Sequence, residues 1–309
     1  MTQATDTTKD STESDDQKIL EAYRVLQPEF AFILGGFRRI AVDPKDSRAR
    51  KMLLRKGLKY FSRVQSFIFQ CMSELPVDVY LDIGANYGEC AFALPLHTKA
   101  RIFAYEANRS LHQYLERSKA YNDDVKTLSL VHSAVSARAG EVLTFYIDND
   151  WSGKSSVVHD KKKKNQTKVE VQATSVDHEI KRIGGPCNVL LMKVDVEGYE
   201  PAVFEGAKGA IGSVPNIVCL MEFDSKYMAR GGVEPDAFFR RLLADFDVYH
   251  ADDVLRRVTE YSELQVEGPD RPIHTNLVLG RFRDAAIAAL FEERIATQNL
   301  RNVNKRAWE

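Results

Sequence analysis

The stretch that most constrains the fold is residues 77–89, V-D-V-Y-L-D-I-G-A-N-Y-G-E. Val79, Leu81 and Ile83 alternate with more polar neighbours in a short β-branched run, which predicts a strand. Gly84 and Gly88 then permit a sharp turn and a close backbone approach to a ligand. Residues 89–96 are apolar enough to predict a buried helix. Asp82 falls just before the strand's carboxyl end, so its carboxylate is expected in the crevice where open α/β sheets bind ligands.

The loop spacing narrows the ligand. A dinucleotide site needs G-x-G-x-x-G, so that a pyrophosphate can lie on exposed amides. Here the pattern is D-x-G-x-N-x-G, from Asp82 through Gly84 and Asn86 to Gly88. An acid ahead of the loop repels a pyrophosphate but suits a ligand carrying an ammonium and a sulfonium, as S-adenosylmethionine does. A second signal is R-I-F-A-Y-E-A-N at residues 101–108, a predicted strand ending in Glu106. An acid about 20 residues beyond a glycine loop can accept both ribose hydroxyls. An ordinary glycine turn and a surface glutamate would each explain one half, but less readily both.

Composition excludes several classes. The 309 residues carry 43 basic and 44 acidic side chains, a net charge of -1, so no global basic field draws the chain to nucleic acid or anionic membrane. Cys71, Cys90, Cys187 and Cys219 are widely spaced in apolar runs and suit small core residues, not a disulfide frame or metal knuckle. The first residues form neither a basic n-region nor an apolar h-region, and no run of about 18 apolar residues occurs. A cytoplasmic protein without a membrane span is expected.

In chain order, residues 1–17 are polar and acidic, which predicts a disordered tail. Residues 18–76 are expected to be helical, with Ile19, Leu20, Tyr23 and Leu26 on one face and a second pattern from Ser47. That segment either caps one side of a site or merely covers a sheet edge. Residues 127–135 predict a third strand, whose end would place Ser133 and Ala134 beside an adenine. His132 there is more readily a satisfied core residue than a catalyst. Two alternating runs within residues 141–173 predict an antiparallel hairpin inserted on the active face. Its lysine run, 161–164, is expected to be solvated. Trp151, in a polar loop, either stacks on a sugar or packs into the domain, and Ser155 shares that loop.

Residues 189–194 predict a buried parallel strand, with Lys193, Asp195, Glu197 and Glu200 crowding its carboxyl end. A helix dipole accounts for Glu197 and Glu200 but not for Lys193 or Asp195. Residues 216–223 predict the next strand, ending in Glu222 ahead of Asp224. Residues 274–281 predict the last strand, and 282–309 a C-terminal helix suited to packing or to a homodimer.

D-I-G-A-N-Y-G at 82–88, A-Y-E-A-N at 104–108, K-V-D-V-E-G-Y-E at 193–200, M-E-F at 221–223 and N-L-V-L at 276–279 resemble the FkbM family of S-adenosylmethionine-dependent methyltransferases. The resemblance spans about residues 77–281. It implies an α/β class I methyltransferase fold, a Rossmann-like seven-stranded sheet with helices on both faces. It also implies transfer of a methyl group to a hydroxyl of a sugar, glycan or secondary metabolite. Cofactor contacts are then expected from Asp82, Gly84, Ala85, Asn86, Gly88, Glu106, Ala107, Asn108, Ser133, Ala134 and Asp195. Ala107 stands where the family often has proline.

The expected chemistry is in-line displacement at the sulfonium methyl, with removal of the hydroxyl proton. Asp195 is the first candidate base, Lys193 the group that fixes its ionised state, and Glu222 the second candidate base. Trp151, Ser155 and Glu197 are candidate acceptor contacts. No metal is expected, because Lys193 would repel a dication and already gives the carboxylates a partner. Two other readings stand behind this one: a methyltransferase fold that binds without turnover, and a nicotinamide oxidoreductase, which the absent G-x-G-x-x-G disfavours.

Overall fold

The computed structural model of the chain describes residues 31–34, 38–54, 61–96 and 98–300. The expected tail at 1–17 and the helical face at Ile19–Leu26 lie outside them. Where the described chain begins, the helical expectation gives way to a hairpin, Ala31–Leu34 (β1) paired antiparallel with Arg38–Ala41 (β2). A tertiary partner overrides the local pattern. The Ala41 amide donates to Ser118 Oγ at 2.9 Å and the Arg39 amide to Asn122 Oδ1 at 3.1 Å, so side chains of the Arg109–Tyr121 helix satisfy the strand's edge. Two helices follow, Ser47–Leu54 and Arg63–Glu74. The second starts at a capping box formed by Ser62 and Gln65 and buries Phe67, Ile68, Cys71 and Met72.

The main sheet begins with Val79–Ile83 (β3), Arg101–Glu106 (β4) and Leu128–His132 (β5), in parallel. Residues 89–96 between β3 and β4 are not the helix their apolarity suggests. The Phe92 amide reaches Gly88 O at 2.9 Å, but the Ala93 amide turns to Cys90 O at 3.1 Å, and Pro95 biases Leu94 away from helical angles. Ala91, Phe92, Ala93 and Leu94 are nevertheless fully buried.

A smaller sheet carries the insertion: Ala134–Val135 (β6), Val142–Asp148 (β7) and Gln166–Thr174 (β8), with β7 and β8 antiparallel. The chain returns to the main sheet as Val189–Val194 (β9), Asn216–Asp224 (β10), Asp247–Ala251 (β11), Leu255–Val258 (β12) and His274–Phe282 (β13). The order across the sheet is β12-β11-β13-β10-β9-β3-β4-β5. β13 runs antiparallel between β10 and β11. This is the seven-stranded class I arrangement, with β12 added as an eighth strand hairpinned on the β11 edge.

Both faces of the sheet are covered, so β3 and β9 are buried along their whole length. On one face Tyr80 and Leu191 join Phe67, Leu115 and Phe291; on the other Leu81 and Met192 join Val176, Val203, Phe238 and Leu242. The C-terminal segment, Ala285–Phe291 continued by a π turn at Glu292–Ala296, buries Ile287, Phe291 and Ile295 within this chain. Gln70 Nε2 donates to Arg294 O and pins it to the Arg63–Glu74 helix. No described helix is long and apolar enough to cross a membrane.

Candidate active site

β3, β4 and β5 step away from β9 and β10, and the crevice opens above the carboxyl ends of β3 and β9, at the reversal. Its volume is about 540 Å³, in the range of small-molecule sites. Gly84 forms its floor at φ +81; a Cβ there would lie 1.9 Å from Asp195 O, so only glycine lets the β3 turn close against the end of β9. Gly88, at φ +87, meets Phe92 and Leu115 instead, so its bareness serves the core and not a ligand.

Asn86 adopts φ +52, a left-handed conformation that asparagine tolerates better than most residues. Four contacts fix it. Its amide donates to Glu106 Oε2 at 2.8 Å, and its Oδ1 accepts from Arg48 Nη1 at 3.1 Å, Ser152 Oγ at 3.2 Å and the Tyr87 amide at 3.0 Å. Glu106 Oε1 accepts from the Asn108 amide at 2.6 Å. Burial pushes the Glu106 carboxyl up, and these two amides oppose that shift.

Lys193 and Asp82 are register partners on adjacent strands and point to the same side. The Lys193 ammonium donates to Gly84 O at 2.7 Å and lies 3.3 Å from Asp195 Oδ2 and 3.6 Å from Asp82 Oδ1. Burial alone would lower its pKa, but Asp195 and Asp82 hold it above the usual lysine range. Asp82 is wholly buried beneath the loop rather than displayed in the crevice, and burial raises its pKa to about 6 against the pull of Lys193. Its role is to hold Lys193.

Asp195 is the accessible member, with 39% of its side chain exposed. Asp195, Glu197 and Glu222 each bring a carboxylate oxygen within 4.8 Å of the others. Burial, then the charge of Asp195, pushes Glu197 and Glu222 well above the ordinary glutamate range. Glu197 also sits at φ +57, and the turn is held from below by Glu200, whose Oε1 accepts from the amides of Val196 at 2.9 Å and Gly198 at 3.3 Å. Glu222 belongs to this cluster without lining the crevice; His274 Nε2 is 3.9 Å from it.

The opposite wall comes from the insertion and the N-terminal segment. Trp151 lines the crevice with the ammoniums of Lys51 and Lys154 at 5.3 and 5.1 Å from its ring. Asp46 ties three segments together: its Oδ1 accepts from the amides of Arg48 at 2.9 Å and Ser152 at 3.2 Å, and its Oδ2 from Tyr87 Oη at 2.9 Å. Arg48 reaches into the crevice, its Nη2 2.8 Å from Glu89 Oε1. Lys163 departs from the solvated run expected at 161–164, pairing with Asp148 at 3.0 Å.

Of the residues expected from the sequence, the crevice gathers Gly84, Ala85, Asn86, Glu106, Ala107, Ser133, Ala134, Trp151, Ser155, Lys193, Asp195 and Glu197. Asp82, Gly88, Asn108 and Glu222 stand behind it; Asn108 caps the Arg109–Tyr121 helix by accepting from the Ser110 amide. Ser133 Oγ donates to Ala134 O at 2.8 Å and Gln172 O at 2.9 Å. His132 Nε2 contacts Ala107 O at 3.1 Å, outside the crevice. Arg48, Glu89, Phe145, Ser152 and Tyr199 line the crevice without having been expected there. Of these, Glu89 carried a signal as the residue closing the glycine motif, and Tyr199 as part of K-V-D-V-E-G-Y-E.

The Methyltransferase FkbM domain model matches residues 82–256. No curated protein matches the chain. Solved structures with similar chain paths include an O-methyltransferase from Bacillus cereus in complex with SAH, at 11% identity, 90% of this chain, 93% of that chain and a TM-score of 0.39. TYW2 from Pyrococcus horikoshii in complex with MeSAdo gives 13%, 88%, 84% and 0.38.

Proposed function

Because the chain belongs to the FkbM methyltransferase family, we propose that it moves the methyl group of S-adenosylmethionine to a hydroxyl oxygen of a sugar, glycan or secondary metabolite. Methyl transfer from S-adenosylmethionine is the family's reaction, and the residues present fit that cofactor. Glu106 lines the crevice nearly buried, and each of its oxygens accepts only one backbone N–H. A carboxylate oxygen has room for a second donor, so Glu106 can take the paired hydroxyls of a ribose. Ser133 and Ala134 line the crevice just past the end of β5, the strand beyond it, which supports an adenine lying there. The cofactor supplies an electrophilic methyl on a sulfonium; the remaining work falls to the chain.

The observation that carries the oxygen-acceptor reading is the setting of three carboxyls, Asp195 and Glu197 after β9 and Glu222 near the end of β10. Burial and the neighbouring carboxylates push Glu197 and Glu222 well above the ordinary glutamate range, whereas Asp195 is exposed to the crevice and faces the Lys193 ammonium at 3.3 Å. Asp195 is therefore the carboxylate that stands between the crevice and an ammonium, the one able to take a hydroxyl proton as the oxygen attacks. Lys193 orients Asp195 through their 3.3 Å contact. Glu222, the second candidate, stands beside Asp195 and Glu197 without lining the crevice. Trp151 offers a flat ring on the other wall, suited to stacking on a sugar, with Ser155 and Glu197 placed to meet its hydroxyls.

We further propose transfer without a metal. Lys193 already gives these carboxylates the positive partner that a divalent ion would otherwise supply. A screen of nucleotide sugars, glycolipids and small phenols with methyl-labelled cofactor tests the acceptor. Label on a hydroxyl oxygen, lost in Asp195→Asn, is the expected result. Label on nitrogen or carbon would replace this reading.

A further inference from the structure

The methionyl end of S-adenosylmethionine is a zwitterion, an ammonium and a carboxylate on one carbon. Among the described residues the crevice is lined by three cations, Arg48, Lys51 and Lys193. Lys193 is committed below the floor to Gly84 O, Asp195 and Asp82. Lys51 stands on the outer wall at the Trp151 ring. Of these three, Arg48 lies beside the loop that follows β3, bound to Asn86 Oδ1 at 3.1 Å, Met52 Sδ at 3.1 Å and Glu89 Oε1 at 2.8 Å. Its guanidinium fork has more N–H donors than these contacts use. A quarter of its side chain stays open, at 24%, against 10% for Glu89. Gly153 permits this placement, since a Cβ there would come within 2.8 Å of Arg48 Cδ.

An open ion pair inside a cleft is costly unless something completes it. A positive and a negative group side by side complement an amino-acid zwitterion in reverse order. We propose that the Arg48–Glu89 pair receives the α-amino-acid end of the cofactor, Arg48 binding the carboxylate and Glu89 the ammonium. The inference rests on S-adenosylmethionine as cofactor. It assigns part of the cofactor site to Arg48, which precedes the family-matched residues 82–256.

Two ligands separate this role from mere support of the loop: S-adenosylhomocysteine, which has the amino-acid end, and 5′-methylthioadenosine, which lacks it. Calorimetric titration of the full chain with each is the test. Arg48→Met should weaken S-adenosylhomocysteine about tenfold or more, the scale of one lost charge-assisted bond, and leave methylthioadenosine within about twofold. Glu89→Gln, nearly isosteric and still able to accept from Arg48, should show the same selectivity if Arg48→Met proves unstable. Equal loss for both ligands, or loss for neither, overturns the proposal. A wild-type chain that binds neither ligand sinks the cofactor assignment first, and the proposal with it.

Discussion

Glu200 offers a direct test of how the turn carrying Asp195 is held. It is 1% exposed, and burial, only partly offset by the amides it accepts from, raises its pKa from 4.5 to about 7. The folded protein thus binds this proton more tightly than the unfolded chain does. Stability from this group is full below about pH 4.5, falls as pH rises toward 7, and levels off above that. A displacement of about 2.5 units at ~1.36 kcal/mol each gives a ceiling of ~3 kcal/mol. Glu200→Gln removes the titration while its carbonyl can still accept from the Val196 and Gly198 amides. Urea unfolding of both chains at pH 5 and pH 8 measures the effect. The wild type should lose about 2–3 kcal/mol more than the variant between those pH values. Asp82 and the other acids titrate in both chains and drop out of the difference. Equal losses would refute the account, leaving Glu200 an ionised cap of the short Glu200–Glu205 helix.

The remaining predictions concern the crevice. Glu106→Ala should weaken S-adenosylhomocysteine at least about tenfold by titration, and should also lower the melting temperature, because the Asn86 and Asn108 amides lose their acceptor. Unchanged affinity in a folded variant would remove Glu106 from the ribose site. Trp151→Ala should raise the acceptor KM and spare cofactor affinity; a lower melting temperature with intact kinetics would make Trp151 a packing residue for Lys51 and Lys154. Activity should survive exhaustive EDTA treatment. Loss on chelation with recovery on Mg²⁺ or Mn²⁺ would recast Asp195 as a metal ligand beside Glu197 and Glu222.

The parts of this site that were legible in the sequence are those whose signal is local. The β3 run, the D-x-G-x-N-x-G turn and the acid ending β4 each declare themselves within a few residues, and K-V-D-V-E-G-Y-E places its charges at a strand end by spacing alone. Local spacing could not say on which side of the floor a charge lies. Asp82 and Asp195 look alike in sequence, yet Lys193 is sandwiched so that one is buried and the other open. Local apolarity also misled at residues 89–96, where a proline outweighs helical spacing. Asp46 and Arg48 were invisible because their meaning lies in contacts to Tyr87, Ser152, Asn86 and Glu89, and nothing in residues 46–48 announces such partners.

The position of β13 sets an order of events for a growing chain. β13 lies between β10 and β11, both of which leave the ribosome before it does. Until residues 274–282 emerge, the β11–β12 hairpin has no place on the sheet, and the edge of β10 is bare along the nine-residue register it later shares with β13. A bare edge of that length is where one chain pairs with another. Nascent chains stalled short of residue 274 should therefore aggregate through β10, while release of the last strand closes the sheet from within. The burden of solubility during synthesis thus falls on residues 274–282, far in sequence from the β3 turn that floors the crevice.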